Sequence, residues 1–575
     1  MVKYGLILIF ALFFFPRLSA QSQPDNCIKS TEGKEFWFGF MENRITNNPF
    51  YPPNYLEITI TSRFTCEYTI TVGKLAVPVA AGTLQPNVPK KIPINRLLAE
   101  PYGSEYIEGK ALHLVSDQPL NLYAMNWSYN SSDAAVIFPV DALGNEYFAM
   151  CYEPNVSELP SGAPWNGKNS EFVVVASEDQ TEVTITPSVV TDKLKPAKVP
   201  FTITLNKGEL YQVQSMNHPN LPGQGDLTGS FIKSDKPVAL YSGSWATTVP
   251  KSSTYAWDHL YEQIPPLRSW GRKFVSVPLL SRAKDTYRIL ASVDHTTIRI
   301  SGKPVVVLNS GEFHEFMLNE DEPALINTDY PVLLAQYSNS NDVDRPASIP
   351  QGGPWDGDPS MLIISPVDQT REQVTFVAYD TPEIIQKFFV NIVTKDNSVD
   401  QIQLDGQPIA FQVLPNSGYS YAQVSITQGN HSLNSTEAGK GFVAYVYGFG
   451  GVESYGYGVG FNLSTTLDLG GDIHFVKDTI VLCNGENKIL DAGSHFASFL
   501  WNTGETTQKI SISKKGYYEV TASTSDGCVL TDGVHAIESN PVVRLGNDTT
   551  ICNAGYLQLD AGDFSSFLWS TQDTT

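Results

Sequence analysis

The feature of this sequence that most constrains its fold is an internal repeat built from short, alternating segments. A Ser/Thr-Asp-X-Pro motif followed by an apolar run occurs three times, at residues 116–119, 234–237 and 328–331. The spacing defines a unit of about 100 residues. Within each unit, apolar and polar residues alternate with period two, as in Val183-Thr184-Ile185, and this pattern is typical of strands. The sequence therefore predicts an all-β chain.

A unit of this length, with six or more strands, suits an antiparallel β-sandwich module, and four such modules are predicted over residues 21–465. Two arrangements stay open, an array of sandwiches and a closed, propeller-like ring. Each unit also carries an Asp-centred turn, as at Asp179, Asp294 and Asp396. Because Asp side chains initiate tight turns, a turn role is favoured over calcium ligation.

The C-terminal part contains a different repeat of about 69 residues, with a boundary near residues 462–472. Cys483 and Phe499-Leu500-Trp501 in the first copy have counterparts in Cys552 and Phe567-Leu568-Trp569 in the second. Since Trp501 lies between two cysteines, residues 472–541 are predicted to form an immunoglobulin-like sandwich closed by a Cys483–Cys528 disulfide. Residues 542–575 are interpreted as a truncated second copy. The pairing of Cys27, Cys66 and Cys151 stays open.

The N-terminus predicts export. Residues 1–20 combine Lys3, an apolar run over 5–15 and a small-residue cleavage site at 18–20, the pattern of a signal peptide. No later apolar run reaches the ~20 residues that a spanning helix needs, so direct membrane insertion is not expected. With 38 basic and 60 acidic residues the net charge is −22, which opposes binding to nucleic acid or to anionic lipid.

The N-terminal region resembles a known family in several collinear segments between residues 33 and 460. They include GKEFWFGFMEN (33–43), FPVDALGNEYFAMCYEP (138–154), EFVVVASEDQTEVTITP (171–187), DHLYEQIPPLRSWGRKFVSVPL (258–279) and YVYGFGGVESYGYGVG (445–460). They are similar to the N-terminal domain family of the IgG-Fc-binding protein, which also occurs in bacterial surface proteins. The tail, with GNDTTIC (546–552), resembles the immunoglobulin- or PKD-like repeats of bacterial cell-surface proteins, many of which use type IX secretion.

This resemblance implies secretion, and binding or adhesion rather than chemistry. This sequence departs from the family pattern at two places, and these departures limit which family properties can be expected of it. Trp257 stands where such proteins often carry a cysteine, and residues 357–360 read GDPS where the animal member has GDPH cleavage sites elsewhere in its chain. Neither IgG binding nor self-cleavage is therefore carried over to this chain.

Two groups of polar residues are candidate reactive sites. Asp258, His259 and Glu262 could serve acid–base chemistry, but a structural histidine is favoured. The loop 339–360 contains four acids that could hold calcium, although a solvated acidic loop is the favoured interpretation. These acids are Asp342, Asp344, Asp356 and Asp358. The sequence predicts no enzyme activity and no cofactor.

Aromatic residues at strand ends and in loops are the predicted contacts to a ligand, because clustered loop aromatics mark protein or carbohydrate sites. The candidates are Trp127, Trp165, Trp245, Trp257 and Trp355, whereas Trp270 is assigned to a core. The predicted function is a secreted or cell-surface adhesin that recognises a glycoprotein or polysaccharide through loops of its β modules. The alternatives are a secreted glycan hydrolase and a purely structural stalk.

Overall fold

The structure is a computed structural model. It describes residues 27–43, 55–73, 78–128, 131–154, 169–216, 225–253, 256–344, 357–379, 385–470, 478–483, 486–525, 527–539, 545 and 558–561. The predicted signal peptide lies outside these residues. Strands dominate the described part, so the predicted all-β class is confirmed.

The first module is a sandwich organised by one long strand. The elements are β1 Gly33–Phe38, β2 Tyr55–Thr61, β3 Cys66–Val72, β4 Ala80–Leu84, β5 Lys90–Ile94, the one-turn helix α1 Arg96–Ala99, β6 Ile107–Glu108, β7 Leu112–Ser128 and β8 Ser131–Ile137. The first part of β7 pairs with β1 and β3, and its second part pairs with β2 and β8. The long strand thereby contributes to both faces of the sandwich, while β6 joins the sheet of the next module.

The second and third modules repeat this pattern around their own long strands, β14 and β21. The second consists of β9 Gly144–Phe148, β10 Ser170–Ala176, β11 Thr181–Thr186, β12 Phe201–Leu205, β13 Leu210–Gln214, β14 Phe231–Thr247 and β15 Asp258–Gln263. The third consists of β16 Gly271–Ser276, β17 Lys284–Ala291, β18 Thr296–Ile300, β19 Val306–Leu308, β20 Phe313–Asn319, β21 Ala324–Ser338 and β22 Ser360–Ile364.

In the fourth module the long strand is divided in two, as β29 and β30, and two separate sheets result. The elements are β23 Gln373–Ala378, β24 Ile385–Lys395, β25 Ile402–Leu404, β26 Gln407–Pro408, β27 Gln412–Leu414, β28 Tyr419–Ile426, β29 Gly429–Ser435, β30 Phe442–Gly450 and β31 Glu453–Gly458. Because β29 pairs with β23 and β25 while β30 pairs with β24 and β31, the topology of the earlier modules is kept.

The repeated Asp residues act as turn residues. At the bend of the long strand, the carboxylates of Asp117, Asp235 and Asp329 accept backbone N–H bonds from the neighbouring strand at 2.8, 2.8 and 2.6 Å. In the turns of the second and third modules, Asp179 and Asp294 accept backbone N–H bonds at 3.1 and 3.0 Å. The favoured interpretation of these residues as turn residues therefore agrees with the hydrogen bonds.

The turn that precedes β5, β13, β20 and β28, one strand in each module, needs a left-handed residue. Gly208, Gly311 and Gly418 take φ values of 82°, 79° and 80°, and in the first module Asn87 takes 58°. Glycine adopts this conformation without strain and asparagine is the side chain that tolerates it best. The spacing of these residues in the sequence thus reflects one backbone requirement repeated four times.

The four modules close into a ring. The last strands of the modules, β8, β15, β22 and β31, meet at the centre, where β8 contacts β15 and β31, and β22 contacts the same two strands. We call these the inner strands. One continuous hydrophobic cluster contains side chains from every module, such as Ile58, Tyr261, Ile289 and Val390. Of the two arrangements that the sequence left open, the described residues form the closed one.

The C-terminal sandwich has a core of its own. It comprises β32 Thr479–Cys483, β33 Lys488–Asp491, β34 Ser498–Trp501, β35 Lys509–Ile512, β36 Gly516–Ser523 and β37 Val529–Ser539. Trp501 is buried at the centre of this core, as predicted, and its indole N–H donates to the Thr507 carbonyl at 2.8 Å. Most of the predicted second copy, including Cys552, lies outside the described residues.

The predicted Cys483–Cys528 disulfide is wrong in this structure. Cys528 is bonded to Cys27, 501 positions away, whereas Cys483 is exposed and unbonded. Cys528 precedes the start of β37 and Cys483 pairs with Ser539 at its end. The eleven residues of β37 span about 33 Å, and a disulfide needs Cα atoms within about 7 Å. The Cys27–Cys528 disulfide therefore joins the C-terminal sandwich to the ring. Cys66 and Cys151 are buried and carry free thiols.

Candidate functional site

The start of the inner strands brings together a group of buried polar residues, which we call the axis cluster. Its hub is Asp133 on β8, whose carboxylate accepts four backbone N–H bonds. The donors are Ala134 at 2.9 Å, Tyr261 at 3.1 Å, Met361 at 3.0 Å and Gly456 at 3.4 Å, one from each inner strand. A single side chain thus holds all four modules to one another at the centre of the ring.

Three further acids surround this hub. Asp258 and Asp358 share a hydrogen bond between their carboxyl groups, and the Ser454 hydroxyl donates to Asp358 at 3.0 Å. The Ser132 hydroxyl donates to Glu453. Burial raises the pKa of Asp358 to about 7, and burial together with the neighbouring Asp358 raises the pKa of Asp258 well above its usual range. The pair therefore holds a proton at neutral pH.

The predicted Asp258, His259 and Glu262 group belongs to this cluster, but it is not arranged as a relay. Asp258 accepts the backbone N–H of His259 at 2.7 Å rather than its imidazole. Burial lowers the pKa of His259 to about 3, so the ring is neutral, and its Nε2 lies 3.4 Å from Asn126 Nδ2. Each of the three side chains is at most 1% exposed, which keeps substrate away from them. Their geometry supports the favoured structural role of the histidine.

The acidic side chains of the predicted loop 339–360 bond to different partners and do not form one group. Asp344 forms a buried ion pair with Arg282 at 2.6 Å and accepts two backbone N–H bonds, while Asp342 accepts the Ser253 hydroxyl. Asp358 belongs to the axis cluster and Asp356 lies outside the described residues. In the part of the chain that the structure describes, no group of three His, Cys, Asp or Glu residues is arranged to hold a metal.

The predicted tryptophan contacts are not one surface. Trp127 is fully buried and stacks on Tyr55 with ring centroids 5.0 Å apart, so its assignment to a ligand surface is wrong. Trp245 and Trp257 are half-buried, and Trp165 and Trp355 lie outside the described residues. Trp270 is buried as predicted, with its indole N–H bonded to the Pro265 carbonyl at 3.1 Å.

An exposed surface appears elsewhere, where residues 96–108 of the first module reach the sheet of the second module through β6. Leu97 on α1 and Tyr102, Tyr106 and Ile107 in the segment that follows it are exposed, and the turn 192–198 of the second module lies beside this segment. Leu97 is 84% exposed, Tyr102 72% and Leu194 68%. The Lys193 ammonium lies 5.1 Å from the centre of the Tyr106 ring. We call this surface the rim patch; it comprises Leu97, Tyr102, Tyr106, Ile107, Lys193, Leu194, Lys195 and Lys198.

The backbone beneath the rim patch is held firmly. The half-buried Glu42 carboxylate accepts the Gly103 N–H at 2.7 Å, and the Glu105 N–H donates to the Gln212 carbonyl at 2.7 Å. Glu105 in turn accepts the Thr191 hydroxyl and the Lys193 N–H. These bonds attach the segment 96–108 to both modules, so its exposed side chains project from a firmly held backbone.

Sequence reasoning missed both Asp133 and the rim patch. The residues near Asp133 in the sequence do not distinguish it from an aspartate at the edge of any strand. The four backbone N–H groups that donate to its carboxylate come from four separate segments of the chain. The rim patch did carry a signal: Lys193, Lys195 and Lys198 fall within six positions of an acidic chain, and the segment 101–107 contains two tyrosines.

The fold and the site together define a ring of β-sandwich modules whose inner strands are joined by buried acids and whose surface exposes the rim patch. Residues 133–448 match the family model described as IgGFc binding protein, more than half of the chain, and the chain belongs to this family. The resemblance stated for the N-terminal region is thereby confirmed at the level of the family. The bacterial branch and the PKD-like repeats stay predictions.

A curated relative is the human IgGFc-binding protein, 22% identical over 412 residues. The match covers 69% of this chain but only 7% of that protein, so the chain spans a small part of the relative's length. Among solved structures, native alpha-2-macroglobulin of Escherichia coli is 10% identical and covers 88% of this chain and 40% of its own, with a TM-score of 0.15. The elastase-activated form also scores 0.15. These low scores carry no argument about fold or function.

Within the described residues, no helix has the length and hydropathy needed to cross a membrane.

Proposed function

We propose that this protein is a secreted or cell-surface binding protein, an adhesin, that recognises an extracellular protein or glycoprotein through loops of its modular ring. The observation that carries the proposal is the rim patch, in which a firmly bonded segment exposes Leu97, Tyr102 and Tyr106, and Lys193 of the turn that exposes Leu194 contacts the Tyr106 ring. Rigid aromatic side chains surrounded by polar ones are typical of protein-binding surfaces, because little conformational freedom is lost on binding.

Family membership supports a binding role, since the human relative is named for binding the Fc part of IgG. Export rests on the predicted signal peptide, and type IX secretion on the resemblance of the tail. The C-terminal sandwich, linked to the ring by Cys27–Cys528, would serve as the spacer that presents the ring. Many copies on one surface would multiply a modest affinity.

The hydrolase alternative needs an accessible pair of carboxylates, and the described Asp258–Asp358 pair is buried. The stalk alternative needs no ligand. One experiment separates the three functions. Residues 21–575 are probed against an array of extracellular proteins, human IgG Fc included, and glycans, and are incubated with polysaccharides and peptides. Saturable binding without turnover is the expected result. Turnover would support the hydrolase and contradict the adhesin, and a blank array would support the stalk.

A further inference from the structure

The rim patch differs in charge from the rest of the chain. The protein has a net charge of −22, yet Lys193, Lys195 and Lys198 stand close together with a single acid, Asp192, between positions 188 and 200. Lys195 lies over the Phe201 ring at 5.1 Å, and neither it nor Lys198 forms an ion pair with a carboxylate among the described residues. Two lysines are thus available to a negatively charged partner.

Two ion pairs lie in the segment that carries the rim tyrosines. Arg96 and Glu100 form an ion pair at the end of α1, and Lys110 pairs with Glu108 at 2.6 Å. Glu105 and Asp192 lie beside Lys193, so the lysines left for a partner are Lys195 and Lys198. At physiological ionic strength charges are screened over about 8 Å, so a partner at this surface meets the local lysines rather than the net charge of the whole chain.

The backbone conformation of the turn 192–198 leaves the apolar side chain of Leu194 exposed to solvent. Leu194 has φ +65° and is 68% exposed, and Lys198 has φ +61°. A bulky residue in this region is strained, and such strain persists where surrounding bonds impose it. Here the Thr191 N–H donates to the Lys195 carbonyl at 3.1 Å and the Lys198 N–H to the Pro187 carbonyl at 2.7 Å.

We propose, building on the proposed binding function, that the rim patch binds an acidic polypeptide segment that also carries apolar side chains. The lysines pair with Asp and Glu of the segment, while Leu97, Ile107 and Leu194 give its Leu or Phe side chains an apolar surface to cover. Tyr102 and Tyr106 supply the aromatic contacts common at protein interfaces. The aliphatic share of the surface favours a polypeptide over a sulfated polysaccharide, because sugar hydroxyls and sulfates gain nothing from contact with aliphatic groups.

The test uses residues 21–575 and a short fluorescein-labelled peptide in which Glu and Asp alternate with Leu and Phe. Fluorescence anisotropy at physiological salt is expected to show binding that weakens as salt is added. Lys195→Glu/Lys198→Glu should weaken it by at least about tenfold. Lys514→Glu/Lys515→Glu is the matched control, since these lysines are exposed on the C-terminal sandwich. It should leave binding unchanged.

A second pair of variants tests the aromatic contacts. Tyr102→Ser/Tyr106→Ser should also weaken binding by about tenfold, and Tyr517→Ser, at another exposed tyrosine, should not. A peptide with Lys in place of Glu and Asp, and one with Ser in place of Leu and Phe, should both bind more weakly than the parent peptide. All variants should keep the melting temperature of the unchanged protein.

Three results would overturn the proposal. Equal binding of the acidic peptide to Lys195→Glu/Lys198→Glu would show that the lysines are not the site. Dextran sulfate that binds in a lysine-dependent way, with no peptide binding, would assign the patch to a polyanionic polysaccharide. An array ligand whose binding survives both sets of patch variants would leave the adhesin function standing and reject this site for it, whereas a blank array rejects the function itself.

Discussion

The axis cluster and the rim patch both concentrate polar residues, yet they use them in opposite ways. At the axis, side chains such as Asp133 are fully buried and their oxygens bond to backbone of other modules. At the rim, acids such as Glu42 and Glu105 bond to the backbone, and Tyr102 and Leu194 remain exposed. Polar groups thus determine the geometry of the ring in one place and present a surface in the other. Substitutions at the axis should change stability, and substitutions at the rim should change binding.

The largest effect is expected at the hub of the axis. Asp133→Ala leaves four backbone N–H groups buried without an acceptor, and each lost bond costs about 1–3 kcal/mol. We expect the free energy of unfolding to fall by at least about 4 kcal/mol, measured by chemical denaturation. The matched control is Asp141→Ala, at an exposed aspartate, which should change it by less than about 0.5 kcal/mol. A small effect at Asp133 would contradict its role as hub.

The next largest effect concerns the link between ring and sandwich. Cys27→Ser/Cys528→Ser should lower the stability of the sandwich by about 2–5 kcal/mol, because the bond no longer restricts the unfolded chain. Calorimetry should then show the sandwich melting before the ring. Cys483→Ser, at an exposed and unbonded cysteine, is the control and should leave the melting profile unchanged. Peptide mapping without reductant that finds Cys483 bonded to Cys528 would refute the pairing.

A smaller effect is expected from the shared proton of Asp258 and Asp358. The folded-state pKa of Asp358 is about 7 and an unfolded aspartate has a pKa near 3.9, so the folded state binds the proton more tightly. This contribution to stability is complete below about pH 4 and is lost as the pH rises to about 7. Asp258→Asn mimics the protonated acid. We expect its melting temperature to fall less between pH 5 and about pH 8 than that of the unchanged protein.

The control for this comparison is Asp179→Asn, at an exposed turn aspartate, which should keep the pH dependence of the unchanged protein. Parallel pH profiles for Asp258→Asn and the unchanged protein would show that the pair does not share a proton.

The smallest effect on stability is expected at the rim. Tyr102→Ser/Tyr106→Ser removes exposed side chains, so the free energy of unfolding should stay within about 0.5 kcal/mol of its original value. The same variant should lose binding of the acidic peptide, which anisotropy measures. A variant that loses stability as well would place these tyrosines among the residues that hold the ring, and the contrast between axis and rim would disappear.

Much of the local structure could be predicted from sequence. The two-residue alternation, the Asp turns and the burial of Trp501 depend on neighbours within a few positions or within one module. The Cys27–Cys528 bond and the burial of Trp127 could not be predicted, since each depends on partners brought in by a different strand or module. Candidate binding residues were sought among tryptophans, whereas the exposed aromatics of the rim are tyrosines.

By itself the sequence determined that the chain is all-β, that it repeats one module, and where its Asp residues form turns. These properties follow from side-chain periodicity and backbone sterics, which act over short stretches of chain. Only the tertiary structure decided that the modules close into a ring, that one aspartate joins the four inner strands, and which aromatic residues stay in water. Contacts between distant segments depend on how whole modules pack, and no short pattern records that packing.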